Sequence, residues 1–188
     1  MEIKTLEIAG LMSALRALRL PFGKEPRSEA DFKWNKVDAR ERMLVESECR
    51  MGIDRRDVQL MSALVRRGDE HAKAVRGIIV WAEITAPIYW WCEAETYRAG
   101  HERLSSESTM HGVAKGLVGD KLVVVKSELP MGTPLKKVDF FSYQCLHRIV
   151  LQRSGHRLPE WRGFIDWVRT LPLADELIFA CEIPSGGA

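Results

Sequence analysis

The chain has 188 residues, of which 46% are hydrophobic, and its formal net charge is +2. This length and composition are typical of one globular domain with its own core, and we expect it over residues 1–183, with a flexible tail at 184–188. The near-neutral charge argues against a nucleic-acid polymer as partner, and without an apolar run of about 18 residues we expect no membrane span.

The first half of the chain alternates between apolar residues at helical spacing and breaks rich in glycine and proline. Leu11, Leu15 and Leu18 form one such apolar stripe, and aspartates at suitable positions predict two helix N-caps. The predicted elements are, in order, a strand at 2–8, a helix from Gly10 to Pro21, a loop at 24–36, a helix from Asp38 to about Met51 and a helix from Asp54 to Gly68.

The second half begins with a β-branched run that predicts a central strand. Strands and helices do not alternate regularly here, so the order favours a mixed α+β fold over a doubly wound sheet. The predicted elements are a strand at 78–85, a helix from Pro87 to Arg98, a polar loop at 99–112, a strand at 122–125 and helices near 137–153 and 159–170.

The polar stretch after Arg98 is the first candidate binding site. It contains Ser105, Ser106, Ser108 and Thr109. A guanidinium can bind two phosphate oxygens at once while hydroxyl groups bind the others. Composition alone favours a plainer interpretation, an exposed turn whose serines cap the next element.

Other familiar chemistries have weaker support. The cysteines Cys49, Cys92, Cys145 and Cys181 form no Cys-x-x-Cys pair, so we expect a cytoplasmic protein with reduced thiols. A second set of possible metal ligands lies close together in sequence, but its spacing matches no common zinc pattern, so we expect no metal site; these residues are Cys92, His101, Glu102 and His111. The glycine-rich run at 112–119 lacks the pattern of a phosphate-binding loop or of a dinucleotide fold. The sequence also has no Gly-x-Ser-x-Gly elbow of a serine hydrolase.

Three segments, taken together, resemble the flavin-dependent thymidylate synthases. The first is Ser13 to Phe22, and the second is Ile84-Thr-Ala-Pro-Ile-Tyr89. Downstream of the second, Thr96-Tyr97-Arg98 occupies the place of the family's Arg-His-Arg triplet, and Ser106 falls at the distance of its signature serine. The third segment is Leu129-Pro130, followed by a predicted helix that ends at Arg153 and then by Trp161. The chain thus looks like a shortened, divergent member of the family.

The resemblance implies a flavin-dependent thymidylate synthase-like fold, with a mixed or antiparallel sheet and flanking helices, and an enzyme that binds FAD. Such an enzyme uses NADPH as reductant and transfers a one-carbon unit from methylenetetrahydrofolate to C5 of dUMP, in a homotetramer whose sites form between subunits. The flavin carries the redox chemistry, and the protein binds and orients the reactants.

The resemblance also implies roles for individual residues. Arg98, Ser106 and Arg153 occupy the catalytic and nucleotide-binding positions, with Glu93, Ser108 and Lys126 as further substrate-binding residues. The cofactor-binding positions fall on His71, Thr96, Tyr97, Ser142 and Arg148.

Several of these positions differ from the family. Thr96 and Tyr97 replace an arginine and a histidine, Ser108 replaces an arginine that binds the nucleotide phosphate, and Glu93 replaces a glutamine. These changes leave three hypotheses: methylation of dUMP, modification of another pyrimidine nucleotide such as dCMP by methylation or hydroxymethylation, and a non-catalytic nucleotide-binding scaffold. In the second, Glu93 would accept a hydrogen bond from the cytosine amino group.

Overall fold

An antiparallel sheet forms the centre of the protein. The computed structural model describes residues 1–24 and 53–180. Within them the strand order is β1-β2-β4-β3, and every neighbouring pair is antiparallel. The strands are β1 (Glu2–Ala9), β2 (Ile79–Pro87), β3 (His101–Ser106) and β4 (Pro134–Ser142).

Helices flank this sheet, so the predicted α+β class with an antiparallel sheet is confirmed. Two short 3-10 helices, Leu20–Phe22 and Ala72–Gly77, accompany the α-helices. The α-helices of the described residues are α1 (Leu11–Arg19), α2 (Arg55–Arg66), α3 (Ile88–Ala94), α4 (Gly119–Ser127), α5 (Tyr143–Arg153), α6 (Pro159–Arg169) and α7 (Ala174–Leu177).

Local signals correctly predicted β1, α1 and α2 among the described N-terminal residues, and the central strand β2. The Asp54 side chain accepts a hydrogen bond from the backbone N–H of Arg56 at 2.7 Å, as an N-cap does. Gly10 has a φ of +92°, and a Cβ there would lie 1.8 Å from the Gly77 carbonyl oxygen. Only glycine can therefore connect β1 to α1 at this point.

The predicted helix at 137–153 is wrong in its first third. Residues up to Ser142 form β4, and α5 begins at Tyr143. Lys137, Asp139 and Phe141 are buried on one face of this strand. Sequence patterns identify a half-buried strand by apolar residues at every second position, and two of these three positions are charged, so the pattern does not indicate a strand. Ser142 separates the two elements, because its Oγ accepts from the backbone N–H of Cys145 at 3.2 Å and caps α5.

Three further predictions in this region are wrong. The expected loop at 99–112 contains β3, which pairs with β4 although its sequence is polar. The expected strand at 122–125 lies inside α4, despite the β-branched valines that suggested it. The helix expected to reach Arg98 ends at Ala94. Residues 25–36 of the predicted loop, the predicted helix at 38–51 and the predicted tail lie outside the described residues.

A cluster of large aromatic side chains fills the core beneath β4. Trp90 and Trp91 of α3 are buried and pack with ring centroids 4.9 Å apart. Trp161 and Phe164 of α6 lie 5.0 and 5.6 Å from Trp90, and Phe164 also contacts Phe141 of β4 at 5.6 Å. This packing holds the ends of α3 and α5 in place, and the candidate site residues lie there.

Candidate functional site

One group of candidate residues surrounds Arg153 at the end of α5. Its Nε donates to the Tyr97 hydroxyl at 2.8 Å, and its Nη1 donates to Glu93 Oε2 at 3.1 Å. The guanidinium also lies over the Trp161 ring, 4.9 Å from the centroid. We call Glu93, Tyr97, Arg153, His156 and Trp161 the Arg153 cluster. Sequence reasoning named four of its five members but not His156.

Glu93 balances the charge of this cluster. Its Oε2 accepts from Trp161 Nε1 at 2.9 Å and lies 3.5 Å from His156 Nε2, in addition to its bond with Arg153. All three contacts converge on Oε2, so Oε1 takes part in none of them. The Arg153 side chain is 20% exposed, and its two bonds use two of its five N–H donors. The cluster is therefore held in place and still has donors for an acidic or carbonyl group.

The residues of the altered triplet have separate positions. The Tyr97 hydroxyl accepts from Arg153 and donates to Gln152 Oε1 at 3.0 Å, so Tyr97 belongs to the cluster. The Thr96 Oγ1 donates to the Glu93 carbonyl at 2.7 Å and closes the end of α3. Arg98 is exposed. Arg98 and Arg153 are thus connected through Tyr97, the residue that precedes Arg98.

A second group of candidate residues borders a cavity of about 300 Å³ at the start of α5. Ser142 and Arg148, both predicted as cofactor-binding residues, line this cavity. Arg76 and Gln144 add further polar groups that sequence reasoning missed, and the rest of the lining is Ile79, Ala99 and Gly100. No local pattern marked Arg76 or Gln144, because they meet only in the folded chain.

Hydrogen bonds to Asp69 orient two side chains of this cavity. Arg148 donates to Asp69 Oδ2 from Nε at 2.9 Å and from Nη2, and Gln144 Nε2 donates to Oδ1 at 2.9 Å. The hydrogen bonds from Arg148 hold the pKa of Asp69 below its usual value, although partial burial opposes them. Arg148 keeps three N–H donors beyond these two bonds. The cavity therefore suits a ligand with anionic or carbonyl oxygens.

The remaining predicted residues have only local contacts or are exposed. His71 is exposed and precedes the 3-10 helix that carries Arg76. Ser106, at the end of β3, donates to the Glu107 carbonyl at 3.1 Å, and Ser108 Oγ accepts from the Met110 N–H at 3.2 Å. The Ser108 bond is the turn-forming role expected of such a serine. Lys126 is exposed on α4.

The described residues carry neither a metal-binding group nor a membrane-spanning helix. They contain no group of three or more metal-ligating side chains close enough to hold an ion. Among the same residues, no helix is long and apolar enough to cross a bilayer.

Comparison with known proteins shows the fold. Neither a protein-family model nor a curated protein matches the sequence. Among solved structures, the chain is similar to flavin-dependent thymidylate synthase ThyX from Helicobacter pylori complexed with FAD and dUMP, with a TM-score of 0.67 and 12% identity over 95% of this chain and 98% of that one. A second structure, thymidylate synthase X from Helicobacter pylori with FAD and dUMP, gives a TM-score of 0.67 and 12% identity over 97% and 100% of the two chains. The expected flavin-dependent thymidylate synthase-like fold is therefore confirmed.

Proposed function

We propose that this protein is a flavin-dependent thymidylate synthase-like enzyme, which binds FAD and transfers a one-carbon unit from methylenetetrahydrofolate to C5 of dUMP. The observation that carries the proposal is the fold, shared over nearly the whole of both chains with proteins that were crystallised with FAD and dUMP. Fold alone does not define an activity, so the two groups of residues described above provide the second support.

The Arg153 cluster is the proposed nucleotide site. Arg153 would bind the nucleotide, since its guanidinium is oriented by Tyr97 and Glu93 and keeps donors for oxygen atoms. Arg98, Ser106, Ser108 and Lys126 remain proposed nucleotide-binding residues. Ser108 is half-buried and the other three are exposed, so a ligand held at a subunit contact could reach them. This arrangement gives the protein the tasks of binding and orienting the pyrimidine ring.

The cavity at the start of α5 is the proposed place of FAD. Arg148 and Ser142 would contact it, together with His71, Thr96 and Tyr97 from neighbouring segments. The donor groups of the cavity fit the phosphate and carbonyl oxygens of FAD. A bound flavin supplies the redox chemistry, with NADPH as the proposed reductant, while the side chains listed above hold it next to the nucleotide.

Helix α4 supports the proposed self-association into a homotetramer. None of its residues is buried by the described part of the chain, and the residues Val123 and Val124 are 64% and 50% exposed. Helices this short draw their stability mainly from packing of an apolar face. A second copy of the chain would provide that packing.

The absorption spectrum of the purified protein, with and without added FAD, tests the proposal directly. We expect a flavin band in the visible region that remains after unbound FAD is removed by gel filtration. A protein that binds dUMP but stays colourless would be a nucleotide-binding scaffold and would contradict the proposed enzyme.

The substitution Arg153→Ala tests the nucleotide site. Since hydrogen bonds to charged groups contribute about 1.5–3 kcal/mol, dUMP affinity should fall about ten- to hundredfold. Titration calorimetry measures this change, and Arg162→Ala on the exposed face of α6 is the matched control. Equal affinities for the two variants would remove Arg153 from the site.

Glu93 favours a second candidate function, modification of a cytosine nucleotide. Oε1 of this carboxylate takes part in none of the contacts that hold Oε2, so it can accept a hydrogen bond from an exocyclic amino group. Mass spectrometry of the products formed from dUMP and from dCMP separates the two functions. Formation of dTMP alone would exclude the cytosine nucleotide.

A further inference from the structure

A buried histidine–aspartate pair lies behind the proposed nucleotide site. His101, the first residue of β3, and Asp139 of β4 are 9% and 0% exposed. His101 Nε2 lies 2.6 Å from Asp139 Oδ2, and the imidazole stacks on Phe141 with centroids 4.3 Å apart and an interplanar angle of 11°. Sequence reasoning assigned neither residue a role.

The pair is connected to the nucleotide site through Tyr97. The second nitrogen of His101, Nδ1, lies 3.1 Å from the Tyr97 carbonyl oxygen. A carbonyl oxygen only accepts, so Nδ1 carries a proton and donates it to this bond. A series of hydrogen bonds thus leads from Asp139 through His101 to Tyr97, whose hydroxyl in turn holds Arg153.

A second ionic contact holds the other end of the same segment. Glu95 accepts from the Lys137 ammonium group and from Arg103 Nη1 at 2.7 Å. Lys137 is 5% exposed, and its Nζ lies 4.3 Å from the centroid of the Trp91 ring. Lys137 and Asp139 are two residues apart on β4, so they lie on the same face of the sheet. The segment from Glu95 to His101 is therefore attached to one face of β4 at both ends.

Stability alone explains this arrangement poorly. Buried pairs of polar or charged side chains are often no more stabilising than apolar side chains of similar size, because both partners lose their hydration. Asp139 Oδ1 is in addition buried without a hydrogen-bond partner in the described structure, which makes the pair costlier still. A buried polar pair does, however, allow one geometry and disfavour others, and the geometry it holds here is that of Tyr97.

We infer that His101 and Asp139 are positioning residues that hold Tyr97, and through it Arg153, in the geometry of the nucleotide site. The part of this inference that concerns the nucleotide rests on the proposed function. Neither side chain would contact the ligand, since His101 acts through the Tyr97 backbone. Glu95 and Lys137 perform the same task at the start of the segment.

The test replaces the pair by apolar residues of similar shape, His101→Phe with Asp139→Leu. The double variant leaves no buried polar group of the pair without its partner, and phenylalanine can stack on Phe141 in place of the imidazole, so the variant should fold with an unchanged urea midpoint. Amide hydrogen exchange should become about tenfold faster in the segment from Thr96 to Gly100 but stay unchanged in β2. Affinity for dUMP should fall about tenfold as well.

Two further variants provide the controls. Asp139→Asn can donate to a neutral imidazole at Nε2 while Nδ1 still donates to Tyr97, so slow exchange and dUMP affinity should be retained. Glu83→Gln breaks the exposed ion pair with Lys136, whose charged atoms are 3.5 Å apart. It should change neither amide exchange in the Thr96–Gly100 segment nor dUMP affinity.

Failure of the native protein to bind dUMP would refute the proposed function. The exchange measurement would still test whether His101 and Asp139 hold the Tyr97 segment. Exchange that accelerates equally in β2 and in the Thr96–Gly100 segment would show a purely structural pair and overturn the inference. Unchanged exchange in the segment of the double variant would overturn the inference too. If the native protein binds dUMP, a double variant with faster exchange but full dUMP affinity would also overturn it.

Discussion

The substitution Gly100→Ala should destabilise the protein through a contact that the structure identifies. Gly100 has a φ of +85°, and a Cβ there would lie 2.2 Å from the Ser142 Oγ and 3.3 Å from its Cβ. The left-handed conformation of an alanine costs about 1–2 kcal/mol. Displacing Ser142 disrupts the cap of α5, at a cost of about 1 kcal/mol. The free energy of unfolding should therefore fall by about 2–3 kcal/mol.

Urea unfolding followed by tryptophan fluorescence measures this loss. Gly68→Ala is the matched control, because Gly68 has a φ of +99° but nothing within 4 Å of a Cβ; it should lose only the conformational part, about 1–2 kcal/mol. If Ser142 is the group displaced, Gly100→Ala combined with Ser142→Ala should cost no more than Gly100→Ala alone, since the cap is lost in both cases. Purely additive losses, or equal losses at Gly68 and Gly100, would refute the reasoning.

Three other predictions concern acid stability, assembly and thiol reactivity. Burial raises the pKa of Glu95, but the hydrogen bond and charge of Lys137 outweigh it, so the folded pKa lies below 4.5; Glu95 thus stabilises the fold above that pH. In urea at neutral pH, Glu95→Gln should then have a smaller free energy of unfolding than the native protein, and this difference in free energy should narrow as the pH falls below 4.5. A difference that stays constant with pH would contradict this. Val124→Asp should reduce the sedimentation coefficient if α4 forms a subunit contact, whereas an unchanged value would place the contact elsewhere. Burial raises the pKa of Cys145 to about 12, so peptide mapping after alkylation should find exposed Cys92 modified and Cys145 unmodified, and equal labelling would contradict the burial.

Sequence reasoning succeeded where the determining contacts are local. The Asp54 cap depends on the backbone two residues further on, and the strand near residues 78–85 follows from consecutive β-branched and apolar residues. The motif resemblance identified the fold, because the positions of its segments and the order of elements are properties of the chain itself.

Only the tertiary structure shows which polar and charged residues are buried and which partners they have. Charged residues lie mostly on protein surfaces, yet Lys137 and Asp139 of β4 are each buried beside a partner from another segment. Glu93 and Arg153 are 60 residues apart, and His101 and Asp139 are 38 apart. No local pattern marks such pairs, because the free energy of burying a charge depends on which partner the folded chain places beside it. The cavity lined by Arg76 and Gln144 was likewise not visible in the sequence, because its lining residues come together only when the helices pack on the sheet.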